Sequence, residues 1–262
     1  MSTADVSIGV AGTLGADSIA RLASVVERCG FRSLWVNDTP GGDSLAALAA
    51  AADATHDLVL ATGVVPVDRR HPDEIVNAVQ RGGIPEHRLV LGIGAGATRK
   101  GALSLVSDAV DELHEGSAAR VLVGALGPKM RSLAARQADG PLLSWLTPGV
   151  AREQAAEAHA LASETHVALY VRTALDHEAD ARLAEETRRY AGAPAYAANF
   201  ERLGIRAEQT VMDATTFPDR IHQYRDAVDE IVLRVMVPSD SVDDHIRFVE
   251  TAAELLAAAD GR

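Results

Sequence analysis

Eight short apolar runs, each followed by a stretch with helical spacing, set the strongest limit on what this chain of 262 residues can fold into. The runs cover residues 6–10, 34–36, 58–67, 88–93, 121–123, 141–146, 166–173 and 231–237. Short runs with no polar alternation suit parallel strands that are covered on both faces. Stripes such as Ile19, Leu22, Ala23 and Val26, or Ile75, Val76 and Val79, supply the covering helices. Asp17 is expected to cap the first helix, Asp43 the second, and Pro72 to open the third with Asp73 and Glu74 in its first turn. Strand and helix alternating eight times favours a (β/α)8 TIM barrel, which takes roughly 250 residues. No Pro, Gly or Ser tract divides the chain, so one barrel domain over residues 1–262 is expected. An open dinucleotide-binding sheet is disfavoured: Gly92, Gly94 and Gly96 miss the G-x-G-x-x-G spacing and fall at the fourth strand.

Composition removes several function classes. The formal charge of -12 argues against a nucleic-acid partner, which needs a basic face. The single cysteine, Cys29, excludes an internal disulfide and a thiolate cluster, and it reads as a small core residue. No signal peptide or membrane span is recognisable, and a cytoplasmic protein is expected. The 9 histidines form no His-Glu-x-x-His pair, so no metal site is expected. Asp240, Asp243, Asp244 and His245 surround Ser241 and read as the cap of the last helix.

The segment VLVGALGPKM, residues 121–130, runs from a buried strand through a glycine loop into a helix. Gly124 and Gly127 free the backbone, Pro128 suits the first helical position, and Lys129 adds positive charge. Such a loop either holds a phosphate or other anion or is an ordinary turn. In a barrel all strand ends open on one face, and that face holds the site. Those ends are rich in glycine and poor in acid–base groups, which suits a flat cofactor lying against backbone. The only two lysines, Lys100 and Lys129, follow strands on this face. A glycine inside the third strand, Gly63, predicts a bulge or a close backbone approach.

Five segments together resemble the luciferase-like monooxygenase superfamily: GFRSLWVND (residues 30–38), LATGVVPVDRRHP (60–72), RLVLGIGAG (88–96), GALGPKM (124–130) and ADGPLLSWLTP (138–148). They run in order from the second strand to the sixth. YAGAPAYAANFERLGI (190–205) is similar to the late helical segment of compact members, the coenzyme F420-dependent oxidoreductases. The resemblance implies hydride transfer between F420 and a small organic substrate, with the ring over the barrel mouth, backed by a bulge with a non-proline cis peptide near Gly63 and Val64. It assigns Thr62, Gly63 and Val64, the loop of Gly94, Ala95 and Gly96, and the loop of Gly124, Ala125, Leu126, Gly127, Pro128, Lys129 and Met130 to the cofactor. FMN, in a luciferase-like monooxygenase, and a non-catalytic cofactor-binding protein are the alternatives.

Asp38 is taken as the catalytic group, a proton donor or hydrogen-bond partner of the ring; its other reading is a helix cap. Thr39, Trp145 and Arg172 are assigned to the substrate. Trp145 either walls the pocket or is core, and Arg172 either meets an anion or forms a salt bridge at a neighbouring strand end. Two features depart from the superfamily pattern. Thr39 stands where many members carry histidine or another acid–base group, and the long insertion after the fourth strand is reduced to residues 97–119. The substrate roof is therefore expected to be short or borrowed from a partner subunit, and a homodimer is expected.

Overall fold

The computed structural model describes residues 4–260. Its strands are β1 (Asp5–Ala11), β2 (Ser33–Asn37), β3 (Val59–Thr62), β4 (Val65–Pro66), β5 (Leu89–Gly94), β6 (Arg120–Gly124), β7 (Gly140–Ser144), β8 (Ala168–Ala174) and β9 (Glu230–Met236). They lie in the order β3-β2-β1-β9-β8-β7-β6-β5-β4, and an additional β3–β5 pairing joins the ends. β3 and β4 occupy one position in the ring, since Leu60 pairs with Leu89 and Val65 with Ile93. The result is a closed eight-stranded parallel barrel, as the alternation predicts. The expected third strand over residues 58–67 is thus broken in two, and the barrel closes across the break.

Around it run α1 (Ala16–Arg28), α2 (Ser44–Asp53), α3 (Pro72–Arg81), α4 (Ala102–Gly116), α5 (Pro128–Gln137), α6 (Pro148–Leu161), α7 (Asp180–Ala191), α8 (Pro194–Leu203), α9 (Phe217–Arg225) and α10 (Val242–Asp260). Pro72, Pro128, Pro148 and Pro194 each open a helix, where the missing amide hydrogen is not needed. Asp43 caps α2 by accepting from the Leu45 and Ala46 amides at 3.1 Å. Asp17 does not cap α1: Gly15 holds that position without a side-chain bond, and Asp17 sits in the first turn. Arg88, expected to start the fourth strand, stands in a short turn instead. Its guanidinium donates to the Ala52 and Thr55 carbonyls at 2.8 and 3.0 Å, holding the end of α2.

Apolar side chains form two shells. The larger lies between strands and helices and includes Ile8, Leu34, Leu91, Val121 and Leu169. The smaller fills the barrel, where Trp35 and Tyr170 meet edge to face with centroids 5.9 Å apart. Glycine makes room for them. A Cβ on Gly9 would lie 2.8 Å from Val232 Cγ1 and 2.9 Å from Tyr170 Cε1.

Below these rings, at the amino-terminal end of the strands, Glu230 is buried among donors. Ser7 Oγ and Ser33 Oγ reach Oε1 at 2.6 Å and Trp35 Nε1 at 2.8 Å, while His166 Nε2 reaches Oε2 at 2.9 Å. Burial alone would raise the carboxyl pKa, but the hydrogen bonds and the His166 charge overcome it and hold the group at about 2. The stabilisation is complete above the ordinary carboxyl value of 4.5 and is lost as pH falls toward about 2. Glu230→Gln is expected to lower unfolding free energy in urea at neutral pH by about 3 kcal/mol, because it strips the charge that these donors solvate. The wild-type protein should also lose stability more steeply than the variant over that acid range, and equal slopes would contradict the assignment.

Candidate active site

The carboxy-terminal ends of the strands open on one face, and its floor is set by Tyr170. A Cβ on Gly63 would lie 2.1 Å from the Tyr170 hydroxyl, so only glycine fits where β3 ends. The Gly63–Val64 peptide is cis, and the strand breaks there, where the sequence places its bulge. Asn37, the last residue of β2, donates its side-chain amide to the Gly63 carbonyl. Gly94 and Gly124 flank Val64: a Cβ on either would stand 2.9 or 3.2 Å from its methyl groups. The structure therefore brings Gly63, Val64, Gly94 and Gly124 together at one side of the mouth. Thr62 is turned elsewhere, its hydroxyl donating to the Gly92 carbonyl at 2.9 Å across the barrel seam.

The two glycine loops differ. Past Ala95 and Gly96, the Ala97 amide already donates to Asp68 Oδ2 at 2.7 Å, so the chain's own carboxylate sits in the first loop. In the second, the Ala125 amide is used by Leu142 O, and Leu126 O accepts from Arg131 and Arg202 at 3.3 Å each. Gly127 then begins α5 with open space where its side chain would be, Pro128 and Lys129 are exposed, and Met130 turns partly inward. Among the described residues no carboxylate bonds to this loop, and Lys129 and Arg202 leave it basic.

Asp38 does not point across the mouth. Its Oδ2 accepts from the Ser44 hydroxyl at 2.8 Å and its Oδ1 from Arg69 at 3.4 Å, which ties β2 to the start of α2. Trp145, in the left-handed region with φ 59°, is buried under α7 and α8 against Tyr190, with centroids 4.8 Å apart. Arg172 lies over the Trp145 ring at 4.2 Å, bonds Ser144 at 2.5 Å and pairs with Glu186 of α7 at 3.5 Å. Both residues thus support the wall behind the mouth.

The segment between β5 and α4 is short, as expected, and α7, in the long connection after β8, lines the mouth. Glu186 and Arg189 of α7 face a cavity of about 440 Å³ bounded by Thr39 after β2, by Arg234 on β9 and by His245 on α10. The volume suits a small-molecule site. Burial draws the Arg234 guanidinium below its ordinary pKa and does the same to His245. His245 Nδ1 lies 2.8 Å from the Ser241 carbonyl, which only accepts, so that nitrogen carries the hydrogen and Nε2 the lone pair. Neither residue is legible from the sequence as a site residue: Arg234 hides in an apolar strand, and His245 reads as a cap.

Among the described residues several buried polar atoms at this end find no hydrogen-bond partner, including Asn37 Oδ1, Thr39 Oγ1 and the Tyr170 hydroxyl. Burial also pushes the Tyr170 phenol above its ordinary pKa, so it stays protonated and able to donate. Among the described residues no three His, Cys, Asp or Glu side chains gather to hold a metal ion. No helix of the described residues is long and apolar enough to cross a membrane.

Comparison with known proteins agrees with this architecture. Residues 2–103 match the family model for luciferase-like monooxygenase. That match takes in three of the five segments, those between residues 30 and 96, and bears out the resemblance over that stretch. The F420-dependent tetrahydromethanopterin reductase of Methanopyrus kandleri superposes with TM-score 0.74 at 18% identity, over 96% of this chain and 98% of its own. The monooxygenase RslO1 of Streptomyces bottropensis gives 0.72 at 18%, over 97% and 99%. The oxygenating constituent of 3,6-diketocamphane monooxygenase from Pseudomonas putida, solved with FMN, gives 0.70 at 14%, over 97% and 98%. At these identities the shared property is the barrel. Among curated proteins no sequence matches the chain.

The fit of Tyr170 beneath Gly63 is directly testable. Gly63→Ala is expected to cost about 1–3 kcal/mol in urea unfolding through overpacking, and adding Tyr170→Phe, which removes the colliding hydroxyl, should recover part of that loss. A double variant no more stable than Gly63→Ala would contradict the contact.

Proposed function

We propose that the chain is an oxidoreductase that binds coenzyme F420 across the barrel mouth and transfers a hydride between its ring and a small organic substrate. The observation that carries this reading is the group of unpartnered buried polar atoms at the mouth, Asn37 Oδ1, Thr39 Oγ1 and the Tyr170 hydroxyl. Folded proteins rarely leave such groups unpaired, and a ring edge with carbonyl and N–H groups would satisfy both the acceptor and the donors. Gly63, Gly94 and Gly124 give the room in which Tyr170 and Val64 pack, and half-buried Val64 is left as a surface against which a flat group can lie. The residues thus fit a deazaflavin, which when bound supplies the carbon that gives or takes the hydride.

This chain's own residues do the rest. The tail phosphate is assigned to Gly127, Pro128, Lys129 and Met130, where amide groups at the start of α5, Lys129 and the nearby Arg202 offer positive charge. The loop of Gly94, Ala95 and Gly96 serves the ring, because a phosphate there would face the Asp68 carboxylate. Asp38, held by Ser44, is assigned to positioning Thr39. α7 excludes water from the opposite side.

The test is a fluorescence titration of the purified protein with F420 and, separately, with FMN. Saturable binding of F420 is expected, weakened at least about tenfold in Gly127→Val through lost approach to the loop amides, with an unchanged melting temperature because the side chain enters open space. Preference for FMN would move the reading to a flavin monooxygenase. Binding of neither would overturn it.

A further inference from the structure

The cavity beside the ring position has a charge pattern that narrows what it can hold. Its lining carries the guanidinium groups of Arg182, Arg189 and Arg234 and the carboxylates of Glu185, Glu186 and Asp240, and Arg172 stands behind Glu186. Arg172 and Arg189 contact it at 3.5 and 2.7 Å. Arg234 does not: among the described residues its one hydrogen bond runs to the Val235 carbonyl, at 2.7 Å. The other charged groups on the cavity are spoken for or peripheral. Arg182 pairs with Asp240 at 2.6 Å, and Glu185 is exposed on the rim. Arg234 is partly buried and feels the Glu186 charge only at longer range, so an anion seated directly on it is favourable.

A second group faces the same space. The Nε2 lone pair of His245 accepts a hydrogen bond, and no donor in the chain meets it among the described residues. Arg234 is near enough that its charge helps to keep the imidazole neutral. Thr39 adds a buried hydroxyl with no partner on the same cavity. One wall therefore offers a cation for an anionic head, and a neutral acceptor beside it for a hydroxyl donor.

We infer that the mouth cavity takes a small hydroxy carboxylate, its carboxylate on Arg234 and its hydroxyl donating to His245 Nε2. This rests on the proposed redox reading for calling the ligand a substrate, but the binding itself needs no cofactor. In the oxidative direction the hydroxyl proton passes to His245 Nε2, while the hydride on the same carbon passes to the deazaflavin ring; the C–H and O–H bonds break and a carbonyl forms. Thr39 orients the oxygen. The sequence departure at Thr39 is thereby answered, since the base comes from α10 at the far end of the chain.

The experiment is calorimetric titration of the cofactor-free protein with lactate, its neutral isostere lactamide, and propionate, at fixed ionic strength in chloride. Saturable lactate binding is expected, at least about tenfold weaker for lactamide, which lacks the charge, and several-fold weaker for propionate, which lacks the hydroxyl. Arg234→Gln should reduce lactate to the level of lactamide. Because that variant alters a buried group, the wild-type protein carries a second readout: the His245 imidazole resonances, assigned with His245→Gln, should move with lactate and stay still with propionate or added chloride. Equal binding of lactate and lactamide, or a still His245, overturns the inference. F420 binding without lactate binding would sink this inference alone, and lactate binding without F420 binding would sink the redox reading alone.

Discussion

The packing of Tyr170 and Trp35 inside the barrel is the constraint from which the rest of the structure follows. Two large rings meet edge to face in a lumen where glycine at positions 9 and 63 yields the space. Because the Tyr170 hydroxyl abuts Gly63, β3 cannot continue with a side chain there, and the chain leaves the ring of strands and rejoins it at β4. At the break half-buried Val64 lies between Gly94 and Gly124. A packing demand in the core thus shapes the surface on which chemistry is proposed.

The two ends of the barrel are built on opposite electrostatic principles. At the amino-terminal end every oxygen of Glu230 is met, and its depressed pKa records a fully solvated charge inside protein. At the carboxy-terminal end Asn37, Thr39, Tyr170 and Arg234 are buried or partly buried with donors and acceptors unused. Unused polar capacity is unfavourable to folding, and a bound ligand at this end would relieve it.

The sequence carries the barrel well because strand and helix periods are local: each apolar run and each helix opening by proline is set by neighbouring residues. The bulge is legible for the same reason, through one glycine in an apolar run. Asp17 fails as a cap since Gly15 already turns the chain, and the strand over residues 58–67 fails to stay whole since its break depends on Tyr170, more than a hundred residues away. The mouth is less legible. Asp38, Trp145 and Arg172 stand at the strand ends as expected, yet Ser44, Tyr190 and Glu186 claim their side chains. Conversely, Arg234 is masked by the apolar strand around it and His245 by its capping bond, and only closure of the barrel brings β9, α7 and α10 onto one cavity.

The central claim is that one face of this barrel, and no other surface, receives the cofactor. Hydrogen–deuterium exchange with and without F420 tests it most directly, since protection maps contact without requiring turnover. The account predicts slowed exchange confined to residues around Asn37 to Thr39, Gly63 and Val64, and Gly124 to Met130, with the Glu230 end of the barrel unchanged. Protection spread over the outer helices, or none at the mouth under saturating F420, would contradict it.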